Sequence, residues 1–135
     1  MFLIDTNVIC EMQKGSRANA EVRSWFQTHA AQAHFVSVLT VGEMRRGVEQ
    51  IRAKDPVKAE VYEGSLAEMT AIFEGRILGI GLEEAEIWGR VSAAGKSPSV
   101  DGLIAATAAT HGLTVVTRNV KDFVRSGVKV VNPWL

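Results

Sequence analysis

The chain has 135 residues, 47% of them hydrophobic and 22% charged, which fits one globular domain spanning 1–135 and argues against a disordered or disulfide-stapled chain. Fifteen basic and fifteen acidic side chains cancel, so bulk charge does not draw a polyanion; a nucleic-acid substrate would need local patches or bound cations. The single cysteine, Cys10, excludes an internal disulfide and suits a reducing cytoplasm. With no basic-then-apolar leader and no apolar run of membrane-span length, a cytoplasmic protein with no membrane contact is expected.

Met1-Phe2-Leu3-Ile4 is an unbroken apolar run that stops at Asp5-Thr6-Asn7. A run without alternation reads as a strand buried on both faces, as in the centre of a parallel sheet. A helix from about Thr6 to Lys14 follows and stops at Gly15. Val22, Trp25, Phe26 and His29 recur at helical spacing and predict a second helix over about 19–31. Cys10 lies beside apolar residues of the first helix, which predicts a buried structural thiol.

His34-Phe35-Val36-Ser37-Val38 reads as the next strand. Thr40-Val41-Gly42-Glu43 opens a third helix with its stripe at Val41, Met44, Val48 and Ile51. Asp55-Pro56 restarts the chain as a fourth helix, proline being tolerated at a first helical position. Val57, Val61, Met69, Ile72 and Phe73 are its expected inward face. The segment from Gly75 to Gly81 predicts a third strand. Leu82, Ala85, Trp88 and Val91 mark a fifth helix ending near Gly95. Ser97-Pro98-Ser99 reads as a loop into an alanine-rich sixth helix over 99–111, closed by Gly112. Leu113–Thr117 and Val128–Val131 are the last strands, with a short helix between them. Alternating strands and helices predict an α/β/α sandwich around a mainly parallel sheet of four to five strands.

Three acids share one context in this scheme. Asp5 follows the first strand, Glu43 lies at the start of the third helix, and Asp101 lies in the first turn of the sixth. In a parallel sheet, strand carboxyl ends and the amino ends of the following helices share one edge. Carboxylates gathered there repel one another unless a cation joins them. Magnesium suits such a set, because it accepts a few carboxylates, keeps waters, and can lower the pKa of a bound water. Thr117-Arg118-Asn119, with Asp122 three residues on, is the expected fourth contributor. Thr117 and Asn119 would orient a water and Arg118 would meet a phosphate.

Each acid also has a structural reading. Asp5, with Thr6 and Asn7, could simply cap the first helix. Thr40-x-x-Glu43 matches a capping box. Ser99 could cap the sixth helix, with Asp101 favoured by the helix dipole. These readings explain the acids one at a time but not their gathering on one edge. His29, His34 and His111 share no metal-ligand spacing and read as core or surface histidines. Arg45, Arg46, Arg52, Lys54 and Lys58 form either a solvated face or an RNA contact. Trp25 and Trp88 fall on apolar stripes, as core or oligomer interface. The tail Asn132-Pro133-Trp134-Leu135 could pack back on the fold or on a second subunit.

Phe2-Leu3-Ile4-Asp5-Thr6-Asn7, Thr40-Val41-Gly42-Glu43, the segment from Ser99 to Ala108 and the segment from Val116 to Phe123 together resemble the PIN-domain pattern. In detail the chain is similar to the VapC toxins of bacterial toxin–antitoxin pairs, in the FitB-like branch with its Asn-Pro-Trp ending. The resemblance implies a magnesium- or manganese-dependent ribonuclease held inactive by a small DNA-binding antitoxin. It also implies a homodimer that assembles further through the antitoxin, with DNA contacted only through that partner. By it, Asp5, Glu43 and Asp101 form the acidic site. Asn119 departs from the pattern, since members often carry a fourth acid there, which puts a second metal ion in question. Asp122 is either a compensating acid or a cap.

Two other functions fit parts of the sequence. A phosphatase of the haloacid-dehalogenase type also begins with an apolar strand ending in Asp, but needs a second Asp where Asn7 stands. A non-catalytic domain that binds the antitoxin and modulates operator DNA is the other.

Overall fold

A computed structural model describes residues 1–93 and 99–135. The predicted end of the fifth helix near Gly95 and the Ser97-Pro98 loop lie outside the described residues. Five short strands of the described residues, β1 (Phe2–Ile4), β2 (His34–Ser37), β3 (Ile77–Leu78), β4 (Thr114–Val116) and β5 (Val130–Val131), form one sheet. Their order is β3-β2-β1-β4-β5 and every pairing is parallel. Among the described residues, seven α-helices accompany them: α1 (Thr6–Met12), α2 (Ala20–Thr28), α3 (Val38–Arg52), α4 (Pro56–Ile72), α5 (Leu82–Ala93), α6 (Val100–His111) and α7 (Val120–Val124). The architecture is the expected α/β one.

β1 is buried along its length, and successive side chains enter different cores. Phe2 and Ile4 join Val8, Ile9, Val22, Val48, Leu66 and Met69 from α1–α4. Leu3 instead joins Ile104, Ala105 and Ala108 of α6 and Phe123 of α7. The period of two along a strand therefore sets helices on both faces, which is why this run shows no polar alternation. Val115 and Val116 of β4 divide in the same way.

Several predicted boundaries shift. Val38 opens α3 instead of closing β2, because the Ser37 hydroxyl accepts from the Leu39 amide at 3.0 Å and caps the helix there. α1 ends at Met12, followed by a 3-10 turn over Gly15–Arg17 in which Gly15 has φ +62°. α2 ends at Thr28, short of Ala31. Gly112, at φ +65°, ends α6 as predicted.

The inward face of α4 also differs. Val57, Val61 and Ile72 are exposed, and Ala59, Leu66, Met69 and the following Phe73 are buried. This helix carries apolar residues nearly all round, so spacing alone does not select the face that packs. Cys10 is exposed, not buried. The tail folds back, with Pro133 buried and Trp134 packed on the cluster that contains Phe2 and Ile4. Trp25 packs on the same cluster and stacks on His29 at 4.3 Å. No described helix is long and apolar enough to cross a membrane.

Candidate active site

Strand order reverses at β1: the chain builds β2 and β3 on one side, then crosses to place β4 and β5 on the other. Open α/β sheets leave a crevice at the carboxyl ends of the strands on either side of such a switch point. Asp5 follows β1 and Thr117 follows β4, so both stand at that crevice. The register is held by a hydrogen bond that the Asp5 amide donates to the Val116 carbonyl at 2.9 Å.

Asp5 is only 3% exposed, and three donors hold its carboxylate. Oδ1 accepts from the Thr6 amide at 2.8 Å, and Oδ2 accepts from the Thr117 hydroxyl at 2.8 Å and from Asn7 Nδ2 at 3.2 Å. Burial pushes the carboxyl upward, and the bonds from Thr117 and Thr6 oppose that. Thr117 is fully buried and occupies every site on its hydroxyl. It donates to Asp5 and accepts from the Asn119 amide at 3.0 Å and from Asn7 Nδ2 at 3.3 Å. Asn7 closes the loop, its Oδ1 accepting the Arg118 amide at 3.2 Å.

Glu43 connects through Thr6. The Thr6 hydroxyl donates to Glu43 Oε1 at 2.7 Å, which leaves Thr40, 3.1 Å away, to donate to Thr6. A capping box at Thr40 is therefore not formed: α3 starts three residues earlier, and Thr40 is buried inside it. Thr40 is the site residue that sequence reasoning misassigned, and Ser37, three residues upstream of it, is the signal that places the cap correctly.

Asp101 sits in the first turn of α6, whose cap is Ser99 accepting from Gly102 N at 3.1 Å. Its carboxyl is pushed up to about 6, first by burial and then by the charges of Asp5, Asp122 and Glu43. Of the acids expected to gather, Asp5 and Glu43 both act on Asp101 through their charge, and Asp122 adds to them. Asp122 lies in the first turn of α7; the cap position of that helix is Asn119, whose side chain makes no capping bond. Gly102 faces α5, where an added Cβ would stand 3.2 Å from Trp88 Cδ1. The start of α6 thus rests closely on the indole.

The hard oxygen donors and mutual repulsion suit a divalent cation. Among the described residues no three His, Cys, Asp or Glu side chains already form a ligand cage. Magnesium does not require such a cage, because it keeps several waters and uses one or two carboxylates.

The PIN domain family model matches residues 2–127. The chain belongs to the PIN-domain family. It is 34% identical to Toxin FitB of Neisseria gonorrhoeae over 99% of both chains. It is 31% identical to VapC ribonuclease Y4jK of Sinorhizobium fredii, over 99% of this chain and 98% of that one. The solved structure of FitAB bound to an IR36 DNA fragment superposes with a TM-score of 0.84 at 35% identity, covering 100% of this chain and 96% of its counterpart. Within the PIN family the chain falls in the VapC toxin group, on its FitB-like side.

Proposed function

We propose that this PIN-domain protein is the toxin of a toxin–antitoxin pair, a magnesium-dependent endoribonuclease acting in the cytoplasm. Its VapC and FitB relatives support that class. The observation that carries the reading is the Asp5 carboxylate, buried at the strand-end crevice and held by Thr6, Asn7 and Thr117, with Asp101 raised to about 6 by burial and by the charges of Asp5, Asp122 and Glu43. Such a cluster in a strand-end crevice is a device for binding a metal ion and, through it, phosphate.

When bound, magnesium (or manganese) would neutralise phosphoryl charge and activate water for attack. Asp5 and Asp101 would be its direct ligands, with Glu43 completing the set. Thr117, Asn7 and the Thr6 amide fix both oxygens of Asp5, so this ligand is oriented before any ion arrives. Thr6 aims Glu43. The Asn119 carboxamide would orient a water where a fourth acid commonly stands, Asp122 adds negative charge beyond it, and Arg118 would hold the RNA backbone.

A groove of about 790 Å³ leaves the site from Thr6 and Glu43 and continues past Met44, Val61 and Tyr62. Exposed apolar walls beginning at the acids suit a segment of a small DNA-binding antitoxin, which would block the site and carry the complex to DNA. A homodimer is the proposed unit of assembly. Asn7 stands where a phosphatase of the dehalogenase type needs an acid, and its amide is committed to Asp5, Thr117 and Arg118, which weighs against that chemistry. The deciding experiment follows total RNA and growth after induction of the wild type and of Asp5→Asn, with cleavage repeated in vitro with magnesium and with EDTA. Cleavage and growth arrest that need both Asp5 and the metal are expected; undiminished effects in the variant would defeat the assignment.

A further inference from the structure

The nuclease reading needs cations that can approach an RNA strand, and two of the candidate arginines are already occupied. Arg45 and Arg52 are tied to Glu49, Glu60 and Glu63 at 2.8–3.1 Å. Arg118 differs. It is exposed at the crevice, its amide is fixed by Asn7, and among the described residues it forms no salt bridge. Its guanidinium carbon instead lies 4.9 Å from the centre of the Trp134 ring.

The way each arrangement uses the guanidinium decides what remains for a ligand. An ion pair occupies the N–H edge. An aromatic ring engages the face and leaves the forked donors free for a phosphate. The nearest acid on α1 does not compete: Glu11 accepts from Lys14 at 2.9 Å and from the Asn19 amide at 2.8 Å. The ring itself is anchored. Asn132 Oδ1 accepts from the Trp134 amide at 3.0 Å, Pro133 before it is buried, and the indole packs on the core cluster beneath β1.

Resting on the nuclease reading, we propose that Trp134 is a positioning residue: its indole holds the Arg118 guanidinium at the rim of the acid crevice, ready for a phosphate of the RNA strand. The carboxyl-terminal tail thereby contributes to substrate binding without touching substrate. Restricting an otherwise mobile arginine before binding lowers the ordering cost of the contact.

The test titrates a fluorescein-labelled, mixed-sequence single-stranded RNA 20-mer with the full-length protein in EDTA, where the strand is not cut, by anisotropy across a salt series. Cleavage of total RNA, with magnesium present, is followed in parallel. Trp134→Leu retains apolar burial but removes the π face, and should weaken binding roughly two- to fivefold. Trp134→Phe retains a ring and should bind within twofold of wild type (roughly, on the same scale). Arg118→Ala should weaken binding more and flatten the salt slope by about 0.7, one phosphate contact on a single strand. Trp134→Leu in the Arg118→Ala background should add nothing. Thermal melts of the Leu and Phe variants identify any loss of folding, and the Phe variant keeps the comparison decisive if Leu unfolds: salt dependence lost in a folded Phe variant would overturn the idea. Full affinity in folded Trp134→Leu, or additivity with Arg118→Ala, would overturn it while leaving the nuclease standing. A wild type that neither binds the 20-mer nor cuts total RNA would overturn the nuclease reading and this inference with it.

Discussion

Two groups of acids in this protein have opposite surroundings. Glu49, Glu60 and Glu63 on α3 and α4 share Arg45 and Arg52, and this network joins the two helices on the surface. At the carboxyl edge of the sheet, Asp101 has no such partner among the described residues, and burial together with the charges of Asp5, Asp122 and Glu43 raises it to about 6. The first arrangement gives each of its carboxylates an arginine partner. The second is left incomplete by the fold, and incomplete sites are where function is built at the expense of stability.

The largest effect that would break this contrast is expected at Asp5. Asp5→Asn should lower RNA cleavage by at least about a hundredfold, measured as initial rates on total RNA with magnesium. Thr117→Val comes next. It removes the buried donor to Asp5 and strands the Asn119 amide, so unfolding in urea should show a loss of about 1–3 kcal/mol, with cleavage falling alongside.

Asp101→Asn should act in the reverse sense on the metal-free protein. Its carboxyl is raised in the folded state, so the fold binds the proton more tightly than the unfolded chain does. Stability from this group is therefore highest at low pH, declines between about 4 and about 6, and stays reduced above that window. In EDTA at neutral pH, Asp101→Asn should stabilise by about 1 kcal/mol after solvent screening, read from thermal melts. The gain should vanish below pH ~4, and cleavage should be lost despite it. The smallest effect is expected at Arg52→Gln. Breaking an exposed network should cost under about 1 kcal/mol in urea and leave cleavage unchanged; a large loss of activity there would blur the distinction between the two acid groups.

Much of this arrangement is legible in the residues. Phe2-Leu3-Ile4 announces a strand buried on both faces, and an aspartate directly after it sits at the ligand-binding edge whatever else the chain does. Gly112 marks the end of α6. The limits of legibility have physical causes. β3 and β5 contain two residues each, too few for a period to register. On α4 the apolar residues encircle the helix, so only packing reveals that Leu66 and Met69 point inward while Val57 and Val61 do not. At the site, the residue types and the shared edge were readable from order alone. The Thr6–Glu43 and Thr117–Asp5 bonds join residues 37 and 112 positions apart, and no local signal encodes them.

The close seat of Gly102 on Trp88 carries a consequence for how the chain can vary. Alanine there would require the indole or the opening turn of α6 to give by a few tenths of an ångström, and Asp101 would travel with that turn. A methyl group with no chemistry of its own would thus detune a carboxylate one position away. A survey of tolerated substitutions would therefore read, at position 102, how far the indole can yield before the neighbouring aspartate is moved.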